Sequence, residues 1–124
     1  MRSWYPFSPG VDAASLPEAA AHAPILVVHV WAEWNGDDRR ADAQLRRLSE
    51  EFAGQIEFRS LYVDDEENRP LLSELKVMAV PTLLLFTRSG PPRLLVGPRS
   101  PRELRRLFTS LVDDWAALRE RRAS

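Results

Sequence analysis

Val30-Trp31-Ala32-Glu33-Trp34-Asn35-Gly36-Asp37-Asp38-Arg39 is the stretch on which the fold turns. Upstream of it, Pro24 precedes Ile25-Leu26-Val27-Val28-His29-Val30-Trp31, a continuous apolar run rich in β-branched residues. Such a run predicts a strand covered on both faces. Downstream, Ala41, Leu45, Leu48 and Phe52 recur at helical spacing, so Asn35 to Ala53 reads as an amphipathic helix ended by Gly54. Asn35 stands at the junction, and Asn is among the best N-cap residues. Asp37 and Asp38 then fall in the first turn, where carboxylates interact favourably with the helix dipole. Strand, turn and helix start are therefore all written into ten residues.

The pattern continues in both directions. Ile56 to Val63 predicts a second strand, Asp64-Asp65-Glu66-Glu67-Asn68 a solvated acidic loop, and Pro70 to Leu75 a short helix. Thr82 to Thr87 and Arg93 to Val96 flank a turn at Ser89-Gly90-Pro91-Pro92 and predict a hairpin. A last helix starts at Ser100 with Pro101 behind it, and Leu104, Leu107, Phe108, Leu111, Val112, Trp115 and Leu118 form its apolar stripe. Before the first strand, Trp4-Tyr5-Pro6-Phe7 makes an aromatic knot, and Ser15-Leu16-Pro17-Glu18 has the signature of a helix start. Residues 1–23 thus read as an N-terminal extension with a short helix packing on the domain, and residues 24–124 as the domain proper with an extended C-terminal helix. Helices on each crossover imply an α/β domain, a central mixed β-sheet flanked by helices on both faces.

The order of these elements and several motifs resemble the thioredoxin family over residues 24 to 112. The matching residues are the strand with Trp31-Ala32-Glu33-Trp34, the helix ending at Phe52-Ala53-Gly54, Val63-Asp64, Val77-Met78-Ala79-Val80-Pro81-Thr82, and Val96-Gly97 before the last helix. The resemblance implies a thioredoxin-like fold with Pro81 in the cis form beside the active-site segment. It also identifies what has been replaced. Asn35 and Asp38 stand where the family has its two cysteines, and Asp37 stands at the intervening proline. His29 stands at the family's buried acid, Ser60 at its lysine partner, and Ala43 at the helix-kinking proline. The last two helical residues of the stripe, Trp115 and Leu118, lie past the usual family end.

Chemistry follows from the missing residues. The chain has no cysteine, and thiol–disulfide exchange needs a thiolate to attack sulfur. The expectation is therefore a redox-inactive, non-catalytic member without cofactor or metal. Asp64 to Glu67 has no calcium-loop pattern, and two carboxylates with one histidine fall short of a usual zinc set. His29 is expected as a core histidine, buried and hydrogen-bonded, separated from Asp37 and Asp38 by a strand-to-helix turn. An alternative expectation is non-thiol chemistry or small-ligand binding around Asp37, Asp38 and His29.

The 124 residues suit one domain. A formal net charge of −1, with 17 basic residues (Lys76 the one lysine) against 18 acidic ones, excludes the electrostatic footprint of a nucleic-acid binder. No apolar run is long enough for a membrane span, and the first 23 residues lack the apolar core of a secretory signal, so a cytoplasmic location is expected. What the resemblance leaves intact is a shallow groove of Trp34, Met78, Ala79, Val80, Pro81 and Gly97. An extended protein or peptide partner can add to exposed backbone there. The expected role is accordingly protein–protein interaction, in a chaperone-like, assembly or scaffolding capacity. Some thioredoxin-like proteins without the cysteine pair serve as hydrogenase-assembly chaperones, although no residue here selects that client. The terminal aromatic segments, Trp4 to Phe7 and Trp115 with Leu118, are candidate surfaces for a homodimer.

Overall fold

The structure is a computed structural model and describes residues 3–123. Its strands are β1 (Leu26–Trp31), β2 (Glu57–Tyr62), β3 (Thr82–Phe86) and β4 (Arg93–Val96). Its α-helices are α1 (Leu16–His22), α2 (Gly36–Glu51), α3 (Arg69–Glu74) and α4 (Pro101–Ala123). The sheet order is β2-β1-β3-β4, with β1 parallel to β2 and β3 antiparallel to both β1 and β4. A parallel β1–β2 pair needs a crossover helix, and α2 supplies it.

Strand alternation divides the core into two layers. Ile25, Val27, Phe58, Leu83 and Leu85 face Leu45, Leu48 and Phe52 from α2 and Leu104, Phe108 and Leu111 from α4. Phe108 meets Phe52 and Phe58 edge-on, with ring centroids 5.8 and 5.7 Å apart. On the other face Leu26, Val28, Val30, Leu61 and Leu84 pack with Leu16 of α1 and Leu72 of α3. Every residue of β1 is buried, the physical consequence of a strand covered on both sides. Each fully buried aliphatic side chain in these layers contributes about 1.5–3 kcal/mol.

The helix starts follow their caps. Asn35 Oδ1 accepts the Asp37 N–H at 2.8 Å, and Ser100 Oγ accepts the Glu103 N–H at 3.1 Å. Ser15 behaves differently from its sequence signature: its hydroxyl accepts the Asp12 N–H instead of capping α1. The end of α2 is released by Gly54, whose φ of 79° lies in the left-handed region that favours glycine.

Two segments depart from expectation. The acidic stretch 64–68 is not a loop throughout, because Glu66–Asn68 forms a 3₁₀ turn leading into α3. Asn68 is buried there, donating to the Tyr62 carbonyl at 3.0 Å and accepting the Ala13 N–H at 2.8 Å. The N-terminal segment is also built into the sheet. Ser60 N–H donates to the Pro9 carbonyl at 3.0 Å and the Val11 N–H to the Ser60 carbonyl at 2.8 Å, so residues 9–11 cover the outer edge of β2. Trp4 lies against Trp31 with centroids 4.7 Å apart, and Phe7 packs on the α2–α4 layer. Among the described residues no helix is long and apolar enough to cross a membrane.

Candidate functional site

Asn35 is the joint between α2 and the loop that enters β3. While its oxygen caps the helix, its Nδ2 donates to the Val80 carbonyl at 3.1 Å. Val80-Pro81 is a cis peptide. The Gly97 N–H donates to the Pro81 carbonyl at 2.8 Å, with Gly97 at a φ of 91°. Thr82 Oγ1 donates to the Ala79 carbonyl at 2.7 Å. Side chain and backbone bonds thus draw the start of α2, the Met78–Pro81 loop and the end of β4 into one place.

Asp38 lies on the inner side of the same helix turn. Its Oδ1 is 2.8 Å from His29 Nε2, and its Oδ2 accepts the Ala32 N–H at 3.0 Å. The exposures are 0% for Asp38 and 1% for His29. The expectation that a turn would hold His29 away from both aspartates is therefore corrected for Asp38. Residues 32–37 double back, and nine positions along the chain become one hydrogen bond. Two features of the sequence carried the signal. His29 shares strand parity with Ile25 and Val27, which face α2. Asp38 lies one step before Ala41 on the apolar stripe of α2, so its inward direction was legible from that spacing.

Asp37 diverges from this pair, pairing at the surface with Arg40. Gly36, between cap and carboxylates, is exposed. Ser60 lies beside His29 in the β1–β2 register, buried, and its hydroxyl donates to the Ser8 carbonyl at 3.1 Å. One helical turn past Asp38, Asp42 accepts the Phe7 N–H at 3.1 Å. Desolvation raises the Asp42 carboxyl above its ordinary value, against the opposing pull of the Phe7 N–H and of the nearby His29 and Arg46. Asp42 was not among the residues singled out by sequence. The only hint was its helical spacing from Asp38.

The chemistry available here is structural. A carboxylate and an imidazole sealed from solvent hold α2 against β1. His29 Nδ1 is buried without a hydrogen-bond partner among the described residues. No group of three or more His, Asp or Glu placed to hold a metal occurs among the described residues.

The outer rim is apolar. Trp34 is 72% exposed, Met78 92% and Val96 50%. Trp34 adjoins Asn35, Met78 lies in the loop that Asn35 tethers, and Val96 is the register partner of Thr82. Ala79 is exposed beside them, Val80 half-buried and Pro81 buried. The Trp34 indole N–H donates to Asp64 Oδ2 at 3.2 Å.

The sequence profile of the thioredoxin family matches residues 12–110. The chain belongs to the thioredoxin family. It is 33% identical over 81 residues to thioredoxin from Alicyclobacillus acidocaldarius, covering 65% of this chain and 74% of that one. Thioredoxin from Mycolicibacterium smegmatis is 26% identical over 95 residues, covering 77% and 84%. The crystal structure of chloroplastic thioredoxin z superposes with a TM-score of 0.74 at 20% identity, covering 87% of this chain and 96% of that one. The thioredoxin-like α/β fold read from the motifs is the fold observed. As a thioredoxin-family chain without cysteine, it is not a thiol–disulfide oxidoreductase.

Proposed function

We propose that this protein is a non-catalytic binding module of the thioredoxin family, taking an extended protein segment across the rim of Trp34, Met78, Ala79, Val80, Pro81 and Gly97. The observation that carries the reading is the exposure of Trp34, Met78 and Val96 on segments tied together by the Asn35–Val80 and Gly97–Pro81 hydrogen bonds. Among the described residues these are three of the four exposed large apolar side chains, the fourth being Tyr5. Single exposed apolar residues are ordinary, whereas grouped ones mark contact surfaces. Trp supplies rigid contact area and Met adaptable contact.

Asn35 shapes the mode of binding. Its amide engages one lone pair of the Val80 carbonyl, so a partner strand meets that acceptor with half its capacity taken. Recognition then leans on side chains more than on backbone pairing, which favours an apolar client segment over sequence-blind strand addition. An assembly or chaperone-like role fits such contact.

The test is selection of peptides from a displayed random library on the purified protein, followed by NMR mapping of the bound peptide. Shifts confined to the Trp34 indole, the Met78 methyl and the Val80 amide, with binding lost in Trp34→Ser/Met78→Ser, are the expected result. Peptides that map to another face, or that bind the double variant equally well, would refute the reading.

A further inference from the structure

At the opposite end of the sheet, where β1 begins and the β3–β4 hairpin turns, the second half of α4 overhangs a cleft of about 490 Å³. Its apolar wall includes Ile25, Leu111, Trp115 and Leu118. The family match ends at residue 110, so Trp115 and Leu118 belong to the helical extension that runs on to Ala123. One wall of the cleft is thus supplied from beyond the matched span, and the cleft is separate from the rim around Pro81. Trp115 and Leu118 are half-buried, each keeping apolar surface turned to the opening.

Charge around the cleft is lopsided. Arg88, Arg93 and Arg121 line it, against one acid, Asp114, although the whole chain carries a formal charge of −1. The Arg88 guanidinium is held by the backbone, donating to the Ala21 carbonyl at 2.7 Å. A carbonyl orients the group without neutralising it. The Arg93 side chain makes no hydrogen bond or ion pair among the described residues, its backbone being part of the β3–β4 ladder. A guanidinium fork matches a carboxylate in a bidentate pair. Sites for small molecules are concave, mostly apolar, and hold roughly 300–1,000 Å³.

We propose that this cleft binds an amphipathic monoanion, a carboxylate with an aliphatic or aryl body. The body lies along Leu111, Trp115 and Leu118, and the carboxylate meets Arg93 with Arg88 beside it. The apolar wall supplies area burial and the arginines select the head group.

Isothermal titration of the full chain with monomeric decanoate tests this, with decanol and decyl phosphate as comparison probes. Saturable one-to-one decanoate binding is expected, with decanol at least tenfold weaker and NMR shifts at the Trp115 indole. Weaker decyl phosphate would mark the head as a carboxylate; tighter decyl phosphate would overturn that assignment. Arg93→Glu, a change at an exposed position, should weaken decanoate at least tenfold with an unchanged melting temperature. Arg102→Glu, in the first turn of α4, should leave it unaltered. Trp115→Ala should weaken binding as well, and Arg93→Glu decides the matter if that variant folds poorly. No saturable binding, equal affinity for decanol, indifference to Arg93→Glu, or shifts at Trp34 and Met78 would each overturn the proposal.

Discussion

The carboxylate of Asp38 lies 2.8 Å from Nε2 of His29, in a place closed to solvent on every side. This contact joins the first turn of α2 to the middle of β1, and the second oxygen of Asp38 secures Ala32 between them. The site is therefore a clamp. It holds in place the turn that carries the exposed Trp34 and the capping Asn35.

Removing the carboxylate should be costly. Asp38→Ala leaves the Ala32 N–H and His29 Nε2 without partners, and breaking a buried pair in this way typically costs about 3–5 kcal/mol. Asp38→Asn keeps one accepting oxygen and should cost less. Urea unfolding measures both; a loss below about 1 kcal/mol for Asp38→Ala would show that the pair does not hold the turn.

Asn35 has two duties that substitutions can separate. Serine retains the N-cap but is too short to reach Val80, whereas alanine loses both contacts. Asn35→Ser should therefore destabilise by about 1 kcal/mol and Asn35→Ala by about 2 kcal/mol. Faster hydrogen exchange in residues 76–80 should accompany both. With the Val80 carbonyl released, peptides selected on the rim should bind Asn35→Ser more tightly. Unchanged exchange in that loop would disprove the tether.

Redox chemistry should be absent and should be recoverable only at a cost. Insulin reduction by the native chain is expected at background with any electron donor. In Asn35→Cys/Asp38→Cys the thiols stand one helical turn apart and should form an intramolecular disulfide, visible by thiol titration. The reduced form of that variant should melt well below the native protein, because it has lost both the cap and the His29 partner. A reduced form as stable as native would contradict the clamp.

Asp42 gives a pH signature. Burial raises its folded pKa above the ordinary aspartate value, so folding disfavours its charged form. Its relative contribution is best at pH below the unfolded value and is lost as pH rises through the folded one. Asp42→Asn, which keeps an oxygen for the Phe7 N–H, should accordingly be the more stable protein at neutral pH. The difference should vanish below about pH 3.8, the reference value. An advantage that persisted in acid would point to packing in place of charge.

Much of the architecture was readable before folding. The run from Ile25 to Trp31, the Asn35 cap, the Gly54 stop and the stripe from Leu104 to Leu111 each state a local preference that the tertiary context reinforces. Boundaries shifted by a residue or two at helix ends, where fraying makes them soft. Ser15 holds the N-cap position of α1 that the sequence indicates, but its hydroxyl accepts the Asp12 N–H in place of a helix N–H. Asn68 was hidden in an acidic stretch, and its burial depends on Ala13 and Tyr62, far away in sequence.

The sequence by itself determined the family scaffold and the loss of thiol chemistry. Strand and helix periodicity are local properties, and a missing element cannot be restored by folding. Only the tertiary structure decided that Asp38 and His29 form one buried unit, that Asn35 bonds the Val80 carbonyl, and that Trp34, Met78 and Val96 stay exposed. Each of those facts depends on where a turn brings side chains from different elements. Residue spacing sets the direction of a side chain, but its partner is chosen by the path of the backbone.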